Sequence, residues 1–202
     1  MTEMVSKGIK PDIFTYTSLL NLVKEYEEGR TLMTEMVSKG IPPNIVTYNS
    51  LLNLVKEYEE GRTLMTEMVS KGIKPNKFTY TTLISKINDF EIANELKNEM
   101  IKCNMRRDPQ LYTSLMKKSR NYQRSLVLLD EMDAIGPTPD AFIFTMLMDL
   151  SKDFNLSFYW LKEIHKRKLR MGQRPIETVR KYIKYKNETA ELNMWLFANS
   201  LI

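Results

Sequence analysis

The sequence predicts an all-α protein, a right-handed α-solenoid of stacked helix-turn-helix repeats, and three observations carry that reading. Residues 1–32 and 33–64 differ at only four positions, and the same 32-residue register continues to the C-terminus. Within each copy, apolar residues recur at helical spacing in two separate segments. The second segment then meets a stop built from Gly, an apolar residue and Pro, as at Gly72, Ile73 and Pro75. So strict a period belongs to an array in which each unit buries its apolar face against its neighbours. Function is therefore expected repeat by repeat, not in one pocket.

The elements follow in order along one copy. A first helix is expected over about residues 46–55, where Tyr48, Leu51, Leu52 and Val55 share a face. A second is expected over about residues 59–71, with Leu64, Met65 and Met68 as its stripe and Gly61 on its way. Gly72 suits a left-handed cap, Ile73 its hydrophobic contact, and Pro75 prevents continuation. The register carries these roles into the divergent copies. Position Gly29 becomes Gly61, Ala93, Ser125, Ser157 and Thr189, always small, as closely approaching helices require. Position Tyr26 becomes Tyr58, Phe90, Tyr122 and Phe154, then Lys186. Position Leu19 becomes Leu51, Leu83, Leu115, Leu147 and Val179; Met4 becomes Met36, Met68, Met100, Met132, Ile164 and Leu196. The methionines are thus expected in the core and not in a cofactor stripe.

The domain reading is one solenoid over residues 1–202, opening with a partial repeat at 1–12. Repeats follow at 13–44, 45–76, 77–108 and 109–140, then degenerate copies at 141–172 and 173–202. Residues 1–12 are expected to supply a second helix without its first. A missing N-terminal neighbour is the expectation there, and a partner covering that end is the alternative.

With 43% hydrophobic and 27% charged residues, the chain can build an ordinary core. One cysteine, Cys103, excludes an intrachain disulfide and a cysteine cage for zinc, and is expected at a helix end. No run of about 18 apolar residues could span a membrane, so no membrane partner is expected. Net charge is +5, and between residues 160 and 186 ten Lys or Arg stand against two Glu. That stretch is the attractor for a polyanionic partner. His165 sits within His165-Lys166-Arg167-Lys168-Leu169-Arg170, where surrounding cations make it a poor metal ligand; no metal and no cofactor are expected. A single His, no phosphate loop and no paired-carboxylate motif outside the helical faces argue against an enzyme or a small-molecule substrate.

The run Ile45-Val46-Thr47-Tyr48-Asn49-Ser50-Leu51-Leu52, then Met65-Thr66-Glu67-Met68, then Lys71-Gly72-Ile73-Lys74-Pro75-Asn76, closely resembles the pentatricopeptide repeat. The markers are clearest over residues 1–76, recognisable to residue 140 and degenerate after Phe144. Each unit is about three residues shorter than the family's, with the loss between its two helices. The phosphate-contacting lysine known near that turn is therefore not carried over.

The resemblance implies binding of single-stranded RNA at about one base per repeat. By position, it implies base-reading pairs of Thr17 with Asn44, Asn49 with Asn76, Thr81 with Asp108, and Thr113 with Asp140. A fifth pair, Thr145 with Gly172, lacks a terminal side chain. Ionised Asp only accepts hydrogen bonds and suits the ring N–H of G and U, whereas Asn also donates and suits A and C. By the family's pairing rules the implied site is 5′-A-Y-G-G-3′, with C favoured at Y and the N-terminus at the 5′ end. Phe14, Val46, Phe78 and Phe142 match the family's base-sandwiching position, which Gln110 and Arg174 occupy in two other copies. Lys166, Arg167, Lys168, Arg170 and Arg174 are the candidates for phosphate contacts.

Plainer roles stand beside these. Asp12, Asn44, Asn76, Asp108 and Asp140 each precede a helix, where Asp and Asn are about equally good N-caps, so their interchange alone establishes no code. The basic run equally reads as a solvated helix face. The functional expectation is sequence-specific RNA binding in support of RNA processing, stability or translation. Family resemblance places it in a mitochondrion or plastid, with a bacterial cytoplasm as the other setting. The alternative is a structural subunit of a ribosome or RNA-processing ribonucleoprotein, whose degenerate copies touch protein or folded ribosomal RNA. A tetratricopeptide scaffold is disfavoured, because its W-x-x-L-G-x-x-Y start is absent.

Overall fold

The computed structural model describes residues 10–105 and 108–201. The second helix expected within residues 1–12 lies mostly outside them. Among the described residues there are twelve helices and no strand. Three hairpins pair α1 (Ile13–Leu20) with α2 (Tyr26–Ser38), α3 (Ile45–Leu54) with α4 (Tyr58–Ser70), and α5 (Lys77–Lys86) with α6 (Phe90–Lys102). Three more pair α7 (Pro109–Ser119) with α8 (Tyr122–Ile135), α9 (Ala141–Ser151) with α10 (Phe154–Lys166), and α11 (Gln173–Lys181) with α12 (Lys186–Ala198).

Contacts divide the chain into two compact units, residues 1–106 and 107–202. In the first unit α1 packs on α3 and α3 on α5, while α2 and α4 each touch their own partner and the first helix of the next hairpin. The second unit uses the same scheme: α9 packs on α11, α8 reaches α9, and α10 reaches α11. First helices thus form one layer in each unit.

Caps set where the first helices begin. The side-chain oxygens of Asp12, Asn76, Asp108 and Asp140 accept the N–H of Thr15, Thr79, Leu111 and Ile143 at 2.8–3.1 Å. Asn44 accepts from both Val46 and Thr47. In the first three copies the Thr hydroxyl accepts the N–H of the cap in return, closing a capping box. Such a cap contributes about 1 kcal/mol. Because Asn44 is the cap, α3 starts at Ile45, one residue earlier than expected, and ends at Leu54 where Val55 turns extended.

The stop after α4 is a Schellman motif. Ile73 N–H donates to Met68 C=O at 3.0 Å, Gly72 N–H to Val69 C=O at 2.9 Å, and Gly72 has φ +76°. At the equivalent place, Asn104, Lys168 and Ser200 adopt the same left-handed conformation without being glycine.

Close approach explains the small residue at position 61. A Cβ on Gly61 would lie 2.6 Å from Leu83 Cδ2, across the contact between α4 and α5. Ala93, Ser125 and Ser157 are buried at the same register, whereas Thr189 is exposed and makes no such contact. The predicted core is found as expected: Tyr48, Leu51, Leu52, Leu64 and Met68 are buried, with Leu83, Met100, Leu115, Leu147, Ile164, Val179 and Leu196. Leu19 and Leu32 are only half-buried. Cys103 caps the C-terminus of α6 and is exposed.

A polar ladder ties the layers together. The Tyr16, Tyr48 and Tyr112 hydroxyls donate to Glu35, Glu67 and Glu131, each 19 residues on. Glu67 also accepts from Arg30 of the preceding hairpin at 2.8 Å and from Lys71 at 2.9 Å. Arg62 reaches Glu99 in the same way, at 3.0 Å. Burial pushes the Glu67 carboxyl up, but the hydrogen bonds from Lys71 and Arg30 outweigh it and leave the group below its ordinary value.

Candidate nucleic-acid interface

The second residue of each first helix is thrown outward by helix geometry. Residues two apart on a helix point about 200° apart, so burying Tyr16, Tyr48 and Tyr80 turns Phe14, Val46 and Phe78 to solvent. They are 77%, 51% and 48% exposed. Three large apolar side chains thus stand uncovered at one register, an arrangement that marks a binding surface more often than a free one.

The predicted pair Asn49 and Asn76 is brought together. Asn49 Nδ2 donates to Asn76 Oδ1 at 3.4 Å, and Asn49 Oδ1 accepts from Thr79 Oγ1 at 2.8 Å. Asn76 Oδ1 also accepts the Thr79 N–H. Both carbonyl oxygens are therefore occupied, and the exposed Asn76 offers its amide N–H groups outward. Asn49, expected in the base-reading pair, is itself only 8% exposed. It positions Asn76 more than it presents its own edge.

The threonines differ among copies. Thr17 is half-buried, its hydroxyl donating back to Ile13 C=O at 2.7 Å; Thr81 does the same to Phe78 C=O at 3.2 Å. In both, the oxygen lone pairs remain as acceptors. Thr81 belongs to the first unit and its expected partner Asp108 to the second. Thr113 is half-buried at the same register, within the copy that Asp140 closes. Thr145 is 3% exposed and bonded to Ala141 C=O at 2.7 Å. The side chain is inside and Gly172 offers no partner, in keeping with a pair expected to read poorly.

In the second unit Phe142 is half-buried. Lys117 Nζ from α7 and Arg174 Cζ from α11 each stand 5.5 Å from its ring centroid. Nothing in the repeat pattern marks Lys117 for this place, since its register position holds Asn21, Asn53 and Ser85 in earlier copies. Gln110 is exposed at its slot.

The basic run separates into distinct places. Arg167 meets both oxygens of Asp133 at 2.7 and 2.9 Å and Glu163 at 2.8 Å. The hydrogen bonds it donates to Asp133 and then to Glu163 push its pKa upward and occupy the guanidinium. In the chain alone, the fork expected to contact a phosphate grips carboxylates. Lys166 and Lys168 are exposed beside an open basin of about 600 Å3 shared with His165, Leu169, Met171 and Leu201. Arg170 is exposed in the connection to α11.

Among the described residues no cluster of His, Cys, Asp and Glu is placed to hold a metal ion, and no helix is long and apolar enough to cross a membrane. Residues 1–57 and 63–105 match the family profile of the pentatricopeptide repeat domain. The chain belongs to the pentatricopeptide repeat family. No curated protein sequence matches it. Among solved structures, the pentatricopeptide repeat protein PPR10 from maize superposes with a TM-score of 0.73 at 19% identity, covering 98% of this chain and 31% of that one. The present chain therefore spans about a third of its length. The pentatricopeptide domain of Arabidopsis thaliana protein-only RNase P 1, solved in complex with tRNA, gives 0.65 at 13% identity over 82% of this chain and 94% of that one. Nuclear protein-only RNase P 2 of the same plant gives 0.64 at 14% identity, over 84% and 42%. These likenesses show the fold, an α-solenoid of pentatricopeptide type.

Proposed function

We propose that this protein binds single-stranded RNA along the first helices of its hairpins, with bases stacked against Phe14, Val46 and Phe78 and read by the polar pairs between them. The exposed apolar residue repeated at one register beside a cap-held polar pair carries the reading. Stacking contributes about 1–3 kcal/mol per base, enough to hold a short strand after part of it offsets ordering of the RNA. By the family's pairing rules the proposed site is 5′-A-Y-G-G-3′; the terminal side chains are compatible with it, since Asn76 presents N–H donors that suit the acceptors of C, whereas Asp108 and Asp140 are acceptors suited to the N–H of G.

Family membership and the solved tRNA complex of a pentatricopeptide domain support RNA as the partner. The protein acts by occupancy, shielding or presenting a transcript for processing, stability or translation, and the family's habit favours a mitochondrion or plastid. The test is binding to a randomised single-stranded RNA pool, against DNA and duplex RNA of equal length. Enrichment of the predicted site, moved at its second base by Asn49→Thr, is the expected result. Salt-sensitive binding with no base preference contradicts sequence reading and favours the assembly-subunit alternative.

A further inference from the structure

We propose that Lys117 and Arg174, held over the ring of Phe142, form a phosphodiester clamp through which the Phe142 hairpin grips RNA one step beyond the last base that is read. The inference rests on the RNA-binding reading above. At the slots of Phe14, Val46 and Phe78 the apolar side chain stands open to a base. At Phe142 the same slot is occupied, because cations from the hairpin before and the hairpin after each lie 5.5 Å from the ring centroid. The negative face of the ring draws both cations in and fixes where they sit. A base entering this slot displaces them, whereas a phosphate meets them where they stand.

The surroundings agree. Among the described residues neither Lys117 nor Arg174 forms an ion pair, in contrast to Arg167 with Asp133 and Lys181 with Asp149. Both are exposed, and the planar guanidinium of Arg174 suits two phosphate oxygens at once. Asp140, two residues before Phe142, uses one oxygen to cap α9, and Glu177, three residues after Arg174, forms no ion pair with it. The residues that would read a base here do not do so, since Thr145 is buried and Gly172 has no side chain.

The test uses the full chain and a single-stranded RNA carrying the predicted site. In a second RNA, the base that follows that site is replaced by abasic ribose. The clamp predicts affinities for the two RNAs within about twofold. It also predicts that the Lys117→Gln, Arg174→Gln double variant lowers the slope of log affinity against log salt by roughly 0.7, the value for one phosphate of a single strand that is no longer neutralised. Base preference at the first two positions stays as in the parent. More than tenfold weaker binding of the abasic RNA overturns the proposal, as does an unchanged salt slope in a double variant whose melting is unaltered. Either leaves RNA binding itself standing, whereas a parent chain that binds no RNA overturns both readings.

Discussion

At the scale of single residues, side chains that serve folding also stand in the proposed recognition surface, and substitutions can separate the two. Gly61 and Gly72 are needed for different reasons. Gly61→Ala drives a methyl group to 2.6 Å from the buried Leu83 and is expected to cost about 1–3 kcal/mol. Gly72→Ala meets no atom but must hold φ +76°, at a cost of about 1–2 kcal/mol. Urea denaturation measures both, and a second-site Leu83→Ala change should relieve only the first. Glu67 gives a pH signature. Its carboxyl sits below the ordinary value because Lys71 and Arg30 hydrogen bonds outweigh burial, so it holds protons less tightly folded than unfolded. Its contribution is therefore present above the unfolded carboxylate value and is lost as pH falls through the folded one. Glu67→Gln is expected to cost about 1–2 kcal/mol at pH 7, a difference that shrinks towards pH 3. Residue roles are legible in the sequence wherever the period holds them, as at Gly61 and Met68. The burial of Asn49 is not, because it depends on Thr79 from the next hairpin, a neighbour that only packing supplies.

At the scale of elements, the N-caps make the first helices begin where the reading positions are needed. Asn76→Ala should cost about 1 kcal/mol and weaken RNA binding, because it removes both cap and contact. Helix number, type and order follow from periodicity, and the bounds shift by about one residue because a cap claims the residue before the apolar run. The ends of degenerate helices are less legible. Lys168 holds a left-handed turn that glycine holds in early copies, since the Schellman hydrogen bond from Leu169 to Ile164 fixes the backbone whatever the side chain. Arg167 is obscured for a related reason: a basic run looks solvated until Asp133, from the preceding hairpin, is brought against it. Arg167→Ala is expected to destabilise the second unit by about 1–2 kcal/mol, read by thermal melting, while leaving the salt dependence of RNA binding unchanged.

At the scale of the molecule, a 32-residue repetition places one equivalent slot on each hairpin, the proposed base-stacking position, and the slots change character along the chain. The first unit presents open apolar side chains beside cap-held pairs, whereas the second carries the exposed Gln110, the flanked ring of Phe142 and the exposed Arg174 at that register. The period makes the array and its slots readable in advance. The division of labour is not readable, because it depends on which side chains fill Phe142's faces and which bury Thr145. The most direct measurement is base preference on a randomised single-stranded RNA pool, comparing the parent chain with Asn76→Asp. The substitution keeps an equally good N-cap, so melting should not move, while donors are exchanged for an acceptor. Base reading predicts that preference at the second position shifts from C towards U, with its neighbours unchanged. An unaltered preference at that position, with RNA affinity retained, contradicts it and leaves Asn76 as a helix cap alone.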